Sequence, residues 1–227
     1  MRLNVIALAV SLVPFAAIHV CYVLAASNGH VPWCIPYLEG CSAISAAGRE
    51  PPESIVFRVT VIPSAALMLV FWPLVDAWLR TLGSRAPRMR GLTLLFGCIA
   101  ALGLIAYASV LGEIGEGFGR QRRIGVRLFF GFTILAQLLM ALQAERLGRQ
   151  NGHSALVRTA RLLLGVSAAT VLLGLLSLYL WAEYEGFEDI EHVFAWWVTF
   201  LVLLHPLGVW TMWRETGFRA RFSVSGR

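Results

Sequence analysis

The residues best suited to chemistry gather where the last apolar stretch of this chain begins. Glu183, Glu185, Glu188, Asp189 and Glu191 crowd together and are followed at once by His192. On a helix, Glu188 and Asp189 stand four and three residues before His192, so one imidazole can meet two carboxylates and work between them as acid or base. Arg58 and Arg127 each lie about one helical turn inside an apolar stretch. Ionisable groups at that depth face a bundle interior or a water-filled cavity. Guanidinium forks, carboxylates and a histidine at one level suit the capture of a phospholipid head, with the arginines on its phosphate. The spacing predicts one polar pocket lined by Arg58, Arg127, Glu53, Ser45, Glu191 and His192. Ser45 would donate to a headgroup oxygen, and His192, Glu191 and Ser45 are the candidates for any catalytic step. The alternative is a solvated acidic loop with arginines that snorkel to the interface.

Other signatures point away from soluble-enzyme chemistry. The sequence has no phosphate-binding glycine loop, no nucleophile elbow, no CxxC pair and no HExxH. The histidines (His19, His30, His153, His192, His205) lack the spacing that holds a metal from adjacent helical turns, so neither metal nor cofactor is expected. His19 and His205 lie deep in apolar stretches and each needs a hydrogen-bond partner across a helix interface. Asp76, near Trp78 and Arg80, reads as an interfacial group.

The elements that must position these residues are six apolar stretches, roughly 3–27, 54–79, 91–112, 124–144, 160–182 and 191–213. Each is near the ~20 residues a helix needs to cross ~30 Å of hydrocarbon. Mean hydropathy of +0.70 and 58% hydrophobic residues agree. The expected fold is an all-α membrane protein, a single six-helix bundle over residues 1–227. The first stretch, from Met1-Arg2 to Ala25-Ala26-Ser27, has some look of a secretory signal. It is longer than a 7–15-residue signal core and carries His19, so it reads as a retained span.

All 19 basic residues are arginine, and thirteen of them fall on one side of the spans: Arg2, Arg80, Arg85, Arg88, Arg90, Arg146, Arg149, Arg158, Arg161, Arg214, Arg219, Arg221 and Arg227. Ten of the 13 acids fall on the other side. The positive-inside rule then puts both termini in the cytoplasm. A net charge of +6 is accounted for by topology and anionic inner-leaflet lipid, with no nucleic acid partner required. The absence of lysine together with abundant Ala, Leu, Gly and Val suggests a high-GC bacterial genome, and hence an inner-membrane location. One cluster violates the pattern. Arg120, Arg122 and Arg123 sit on the outer side, where the acids of the last outer loop or lipid phosphates are the available partners.

Pro51-Pro52-Glu53-Ser54 opens the second span, with proline where a helix needs no amide donor and Glu53 at the positive helix end. Pro14, Pro63, Pro73 and Pro206 lie within spans, as membrane helices tolerate. Trp33, Tyr37, Trp181 and Tyr184 fall at the outer boundary and Trp72, Trp78, Trp210 and Trp213 at the inner one, the pattern of aromatic belts. The longest outer segment, Ser27 to Glu53, contains Cys34 and Cys41 in an oxidising compartment. A disulfide between them would contribute about 2–3 kcal/mol on a chain-entropy estimate, against the alternative of two free thiols. Cys21 and Cys98 read as small core residues.

The segment Cys41-Ser42-Ala43-Ile44-Ser45-Ala46-Ala47-Gly48, followed by Pro51-Pro52-Glu53-Ser54-Ile55-Val56-Phe57-Arg58, resembles the first outer loop of the Frag/DRAM/Sfk family. The family pattern of a β-branched residue and serine, then Pro-Glu, then an aromatic residue opening span two maps onto Ile44-Ser45, Pro52-Glu53 and Phe57-Arg58. The stretch Ile124-Gly125-Val126-Arg127-Leu128-Phe129-Phe130 looks like the family's opening of span four. Relatives often carry a histidine three residues before that glycine, where this chain has Arg122. A Glu-aromatic pair early in span six has its counterpart in Glu191-His192 or Trp196-Trp197. The family is six-span and includes DRAM autophagy modulators and a GPI-anchor lipid-remodelling factor. The resemblance therefore implies lipid handling, with a lipid other than a GPI anchor in a bacterium.

Two functions of different class follow. One is a protein that binds, presents or remodels a phospholipid or glycolipid through an outer-leaflet site. The other is a non-enzymatic scaffold or regulator whose partner is another membrane protein, in keeping with the absence of a complete catalytic constellation. A solute or proton carrier ranks third, because inverted repeats and paired broken helices are missing. Reporter fusions test the orientation: those after Arg85 and Arg158 should report cytoplasm and one after Glu185 the outside, and a periplasmic signal from either arginine loop would reverse the whole arrangement.

Overall fold

The structure is a computed structural model and describes residues 3–219. Arg2, Arg221 and Arg227, counted above among the cytoplasmic arginines, lie outside the described residues. All regular structure among the described residues is helical: α1 (Asn4–Ser27), α2 (Pro36–Glu39), α3 (Ile44–Ala47), α4 (Glu53–Thr81), α5 (Pro87–Ser109), α6 (Glu116–Gln150), α7 (Ser154–Glu183) and α8 (Phe187–Glu215). Six of these, α1 and α4–α8, are long and apolar enough to cross a membrane.

Spans form where about 20 apolar residues run together, because a helix alone satisfies its own backbone in hydrocarbon. Helix ends do not stop where the apolar run stops. The fourth span was expected over 124–144, yet α6 covers Glu116–Gln150, about 52 Å at 1.5 Å per residue. Its polar ends are rich in Arg, Gln and Glu, which are good helix formers in water. The third span ends at Ser109 rather than at residue 112, since Gly112 and Gly115 adopt positive φ in the turn that follows. Pro14, Pro63, Pro73 and Pro206 all lie inside continuous helices.

The six long helices form a ring in which each packs on the next and α8 closes on α1. The most extensive interface joins α5 to α6, and glycine makes it possible. A Cβ on Gly125 would lie 2.7 Å from the Gly103 carbonyl oxygen and 2.8 Å from the Tyr107 nitrogen, so the two backbones touch directly. Gly97 likewise leaves room for Trp72, whose ring atoms occupy the space a side chain would need.

At the end of the bundle where α1 begins and α8 ends, called inner below and the opposite end outer, three of the four tryptophans expected in a belt turn into the core, while Trp210 is half-buried. Trp72, Trp78 and Trp213 are buried, while Trp33, Trp181 and Tyr184 are exposed as expected. Depth along a helix says nothing about which way the residue turns, and these three fall on the interior face. Trp78 Nε1 donates to Thr216 Oγ1 at 3.0 Å, and Trp213 packs on Phe71 and Phe218. Also on the inner side, Asp76 binds Arg80 at 2.7 Å and Arg90 at 3.0 Å, tying α4 to the start of α5. His19 has partners on both ring nitrogens, whereas His205 has them on Nε2 and its buried Nδ1 has none within the protein. His19 Nδ1 donates to the Phe15 carbonyl at 2.7 Å, so its Nε2 accepts from Tyr37 Oη at 3.1 Å. His205 Nε2 meets Ser167 Oγ of α7 at 2.9 Å.

Because the α5–α6 contact is backbone on backbone, Gly125→Ala should destabilise by about 1–3 kcal/mol through overpacking. Gly131→Ala, on the same helix with nothing within 4 Å of the added carbon, is the control. Thermal unfolding in detergent should separate the two variants, and equal midpoints would show that α5 and α6 are not in direct contact.

Candidate functional site

The segment between α1 and α4 is fastened over the outer end of the bundle. A disulfide joins Cys34 to Cys41. Tyr22 Oη accepts from the Cys34 amide at 2.8 Å and donates to the Cys34 carbonyl at 2.8 Å. From α8, Trp196 Nε1 donates to the Ser42 carbonyl at 2.8 Å and Trp197 Nε1 to the Tyr37 carbonyl at 3.0 Å. Burial pushes the Tyr37 hydroxyl up from its ordinary pKa, which keeps it neutral as the donor to His19. Glu53, wholly buried at the start of α4, accepts from Asn28 Nδ2 at 2.6 Å and lies 3.2 Å from His30 Nδ1. It therefore locks the end of α1 to the start of α4.

The residues expected to share one pocket take separate places. Arg58 donates to the Leu111 carbonyl and to Glu113 Oε1 at 2.8 Å, holding the turn after α5 against α4. Arg127 is exposed on α6. His192 Nδ1 lies 3.5 Å from Glu191 Oε1, its chain neighbour, rather than against Glu188 or Asp189. Adjacent helical residues do not share a face, so this contact orients the imidazole poorly. Of the six pocket residues, Ser45 alone lines the large cavity inside the bundle. The reason is rotational: matching depth brings side chains to one level, while loops and helix rotation decide what each one faces.

That cavity has a volume of about 350 Å³, within the range of small-molecule sites. Its wall takes residues from α1, α3, α4, α5, α6 and α8 and from the outer segment around α3, and none from α7. On α6 the lining runs from Gly119 to Gln137, about 27 Å along the axis, and on α4 from Phe57 to Trp72, about 22 Å. Both lengths exceed the ~15 Å of one hydrocarbon leaflet. The shaft is walled mainly by Val, Leu, Ile, Phe and Met. Near its inner end Gln137 Nε2 donates to the Val202 carbonyl at 2.8 Å, while Thr133 Oγ1 and Trp72 Nε1 have no hydrogen-bond partner within the protein.

The outer mouth has a different chemistry. Arg49, Arg122 and Arg123 line it together with Ser45 and Tyr107, and Tyr107 sits beside Ser45, Arg49 and Arg122. Arg122 donates to the backbone carbonyls of Glu113 at 2.7 Å and Val110 at 3.2 Å. Among the described residues no carboxylate pairs with Arg49, Arg122 or Arg123, whereas Arg58, Arg80, Arg90, Arg149 and Arg161 all have one. The outer arginine cluster thus does not meet the acids of the last outer loop. Arg122 and Arg123 lie in the second turn of α6, towards the positive end of the helix, where the dipole does nothing to stabilise a cation. The positive-inside violation marked two of these residues in the sequence; Arg49 and Tyr107 carry no sequence signal that distinguishes them. Among the described residues no group of His, Cys, Asp and Glu is arranged to hold a metal ion.

Fold and site together define a six-span integral membrane protein with an apolar central cavity crowned by arginine. The family model described as Frag1/DRAM/Sfk1/Cwh43P N-terminal domain matches residues 2–211, and the chain belongs to that family. Comparison with curated proteins and with solved structures gives no match.

Glu53 belongs to the fastening of the outer segment. Glu53→Ala should lower the thermal midpoint, because it leaves Asn28 and His30 without their buried acceptor. Glu53→Gln, which keeps an acceptor for Asn28, should recover part of the loss. Equal midpoints for Glu53→Ala and the parent protein would remove Glu53 from the structural role.

Proposed function

We propose that this protein binds an anionic phospholipid or glycolipid of the outer leaflet, with the phosphate at Arg49, Arg122 and Arg123 and an acyl chain in the apolar shaft. The observation that carries this reading is the set of three guanidinium groups without carboxylate partners at the mouth of an apolar cavity. Arginine forks match phosphate oxygens, and Ser45 and Tyr107 offer hydroxyl donors to the rest of a headgroup. An apolar shaft longer than one leaflet matches a lipid tail better than a water-soluble solute. Binding places a lipid where it can be presented to other proteins or altered by them. His192 and Glu191 line no part of the cavity, so the reading assigns no reaction to this chain. A bacterial inner membrane, with its anionic outer-leaflet lipid, is a suitable setting.

A membrane-protein scaffold is the second reading, favoured by the bare outer half of α7, where Leu172, Leu175, Tyr179 and Trp181 are exposed. One experiment separates the two. The purified protein in nanodiscs of mixed phosphatidylglycerol and phosphatidylcholine should retain phosphatidylglycerol selectively when examined by native mass spectrometry. Each charge-assisted bond contributes about 1.5–3 kcal/mol, so Arg122→Ala combined with Arg123→Ala should weaken retention by about tenfold or more. Retention unaffected by the double substitution, or equal for the two lipids, would favour the scaffold.

A further inference from the structure

The cavity helices α6 and α8 are not neighbours in the ring, because α7 stands between them. Every helix packs firmly on its neighbours in the ring, but α6 and α8, which both line the cavity, scarcely touch each other. The Gln137–Val202 hydrogen bond links them near mid-membrane. Helix α7 packs against both and covers the seam, but its fully buried contacts lie in its inner half. Its buried residues are Leu156, Ala160, Leu163, Ser167 and Thr170. From Val171 to Glu183 no residue is buried, and Leu172, Leu178 and Trp181 are 64%, 63% and 71% exposed. The outer half of α7 keeps only a half-buried stripe (Leu173, Gly174, Ser177 and Leu180) against the bundle, and so covers the seam between α6 and α8 less completely there than in its inner half.

The two sides of this seam are built for passage. Arg123 on α6 and Ala195 on α8 line the cavity and are also exposed, so the cavity reaches the surface between them. Arg127 is one turn below Arg123 and one turn above Phe130, both cavity residues, and belongs to the same flank of α6. It is exposed and lines no part of the cavity wall. On α8 the segment from Val193 to Val202 carries no charge. The way in from directly above is closed by the outer segment, with Trp196 bonded to Ser42, Gly48 packed against Phe57 and Leu111, and Arg58 holding Leu111.

We infer that an anionic phospholipid enters the cavity sideways from the outer leaflet through a doorway between the outer halves of α6 and α8, with Arg127 as its entrance cation. The inference rests on the lipid-binding reading and extends it: the ligand is a bilayer lipid that never leaves the membrane. Its tail slides between Phe130 and Ala195 while its phosphate passes from Arg127 to Arg123. A guanidinium on the threshold lowers the cost of moving the phosphate out of the headgroup layer, and the small side chain of Ala195 opposite leaves room for an acyl chain.

The test measures exchange rather than binding. Val198 lies one turn from both Ala195 and Val202 but outside the cavity wall, so a group attached there stands in the doorway without filling the site. With Cys21→Ala and Cys98→Ala removing the free thiols, Val198→Cys is loaded with a phosphatidylglycerol bearing a fluorescent acyl chain. It is then alkylated with a bulky maleimide, and release into unlabelled phosphatidylglycerol vesicles is followed. Alkylation should slow release about tenfold relative to the unalkylated variant, with the same fraction bound at equilibrium. Arg127→Gln should slow exchange without abolishing the preference for phosphatidylglycerol over phosphatidylcholine. Release at an unchanged rate, or expulsion of lipid by the adduct, overturns the doorway while leaving the binding site intact. No labelled lipid bound before alkylation overturns the binding reading and the doorway with it.

Discussion

Hydrocarbon cannot solvate a polar group, and nearly every feature of this protein answers to that constraint. Hydroxyls inside the spans turn back on their own helices: Thr60, Thr93, Thr170 and Thr199 each donate to the carbonyl four residues earlier. Ser11, Gln137 and His205 instead bond across helices, and so help set which helix lies beside which. Charges are confined to the ends, where Asp76 and Glu145 on the inner side each satisfy two arginines. The guanidinium groups of Arg49, Arg122 and Arg123 have no carboxylate partner among the described residues, and what sets them apart from the other arginines without one is that they line the mouth of an apolar cavity.

The spans were legible in the sequence because their signal is one-dimensional. A run of apolar residues of bilayer length is a helix whatever surrounds it, and the extent of α1, from Asn4 to Ser27, agrees with the reading within a residue. The Cys34–Cys41 disulfide was legible for a similar reason, since a short irregular outer segment keeps its two cysteines within reach. What escaped was rotational. Trp72, Trp78 and Trp213 sit at the depth of a belt yet point inward, and Arg58 and Arg127 share a level but face different surroundings. No pattern in the chain tells that Arg58 will find the turn after α5, because that turn is shaped by Gly112 and Gly115 some 55 residues later.

The arginines between spans three and four are an intermediate case. Their position against the charge rule was a signal in the sequence, though the acids of the last outer loop, one of the two partners it suggested, do not pair with them. Its meaning needed three dimensions, since it took the α5–α6 glycine contact to bring Tyr107 beside Arg122, and the folded outer segment to bring Arg49 and Ser45 across from them. The mouth is thus assembled from a loop, from α5 and from the first turns of α6, none of which contains the site alone.

The length of α6 has a consequence for how the protein responds to its surroundings. At about 52 Å the helix is much longer than the ~30 Å hydrocarbon core, so both polar ends stand clear of it or the helix tilts. Arg120, Arg123 and Arg127 are spaced up its outer half like marks on a gauge, about 10 Å from first to last. A thicker bilayer raises the phosphate plane towards Arg120, and a thinner one lowers it towards Arg127. The same rod therefore presents a different arginine to the headgroups as bilayer thickness changes.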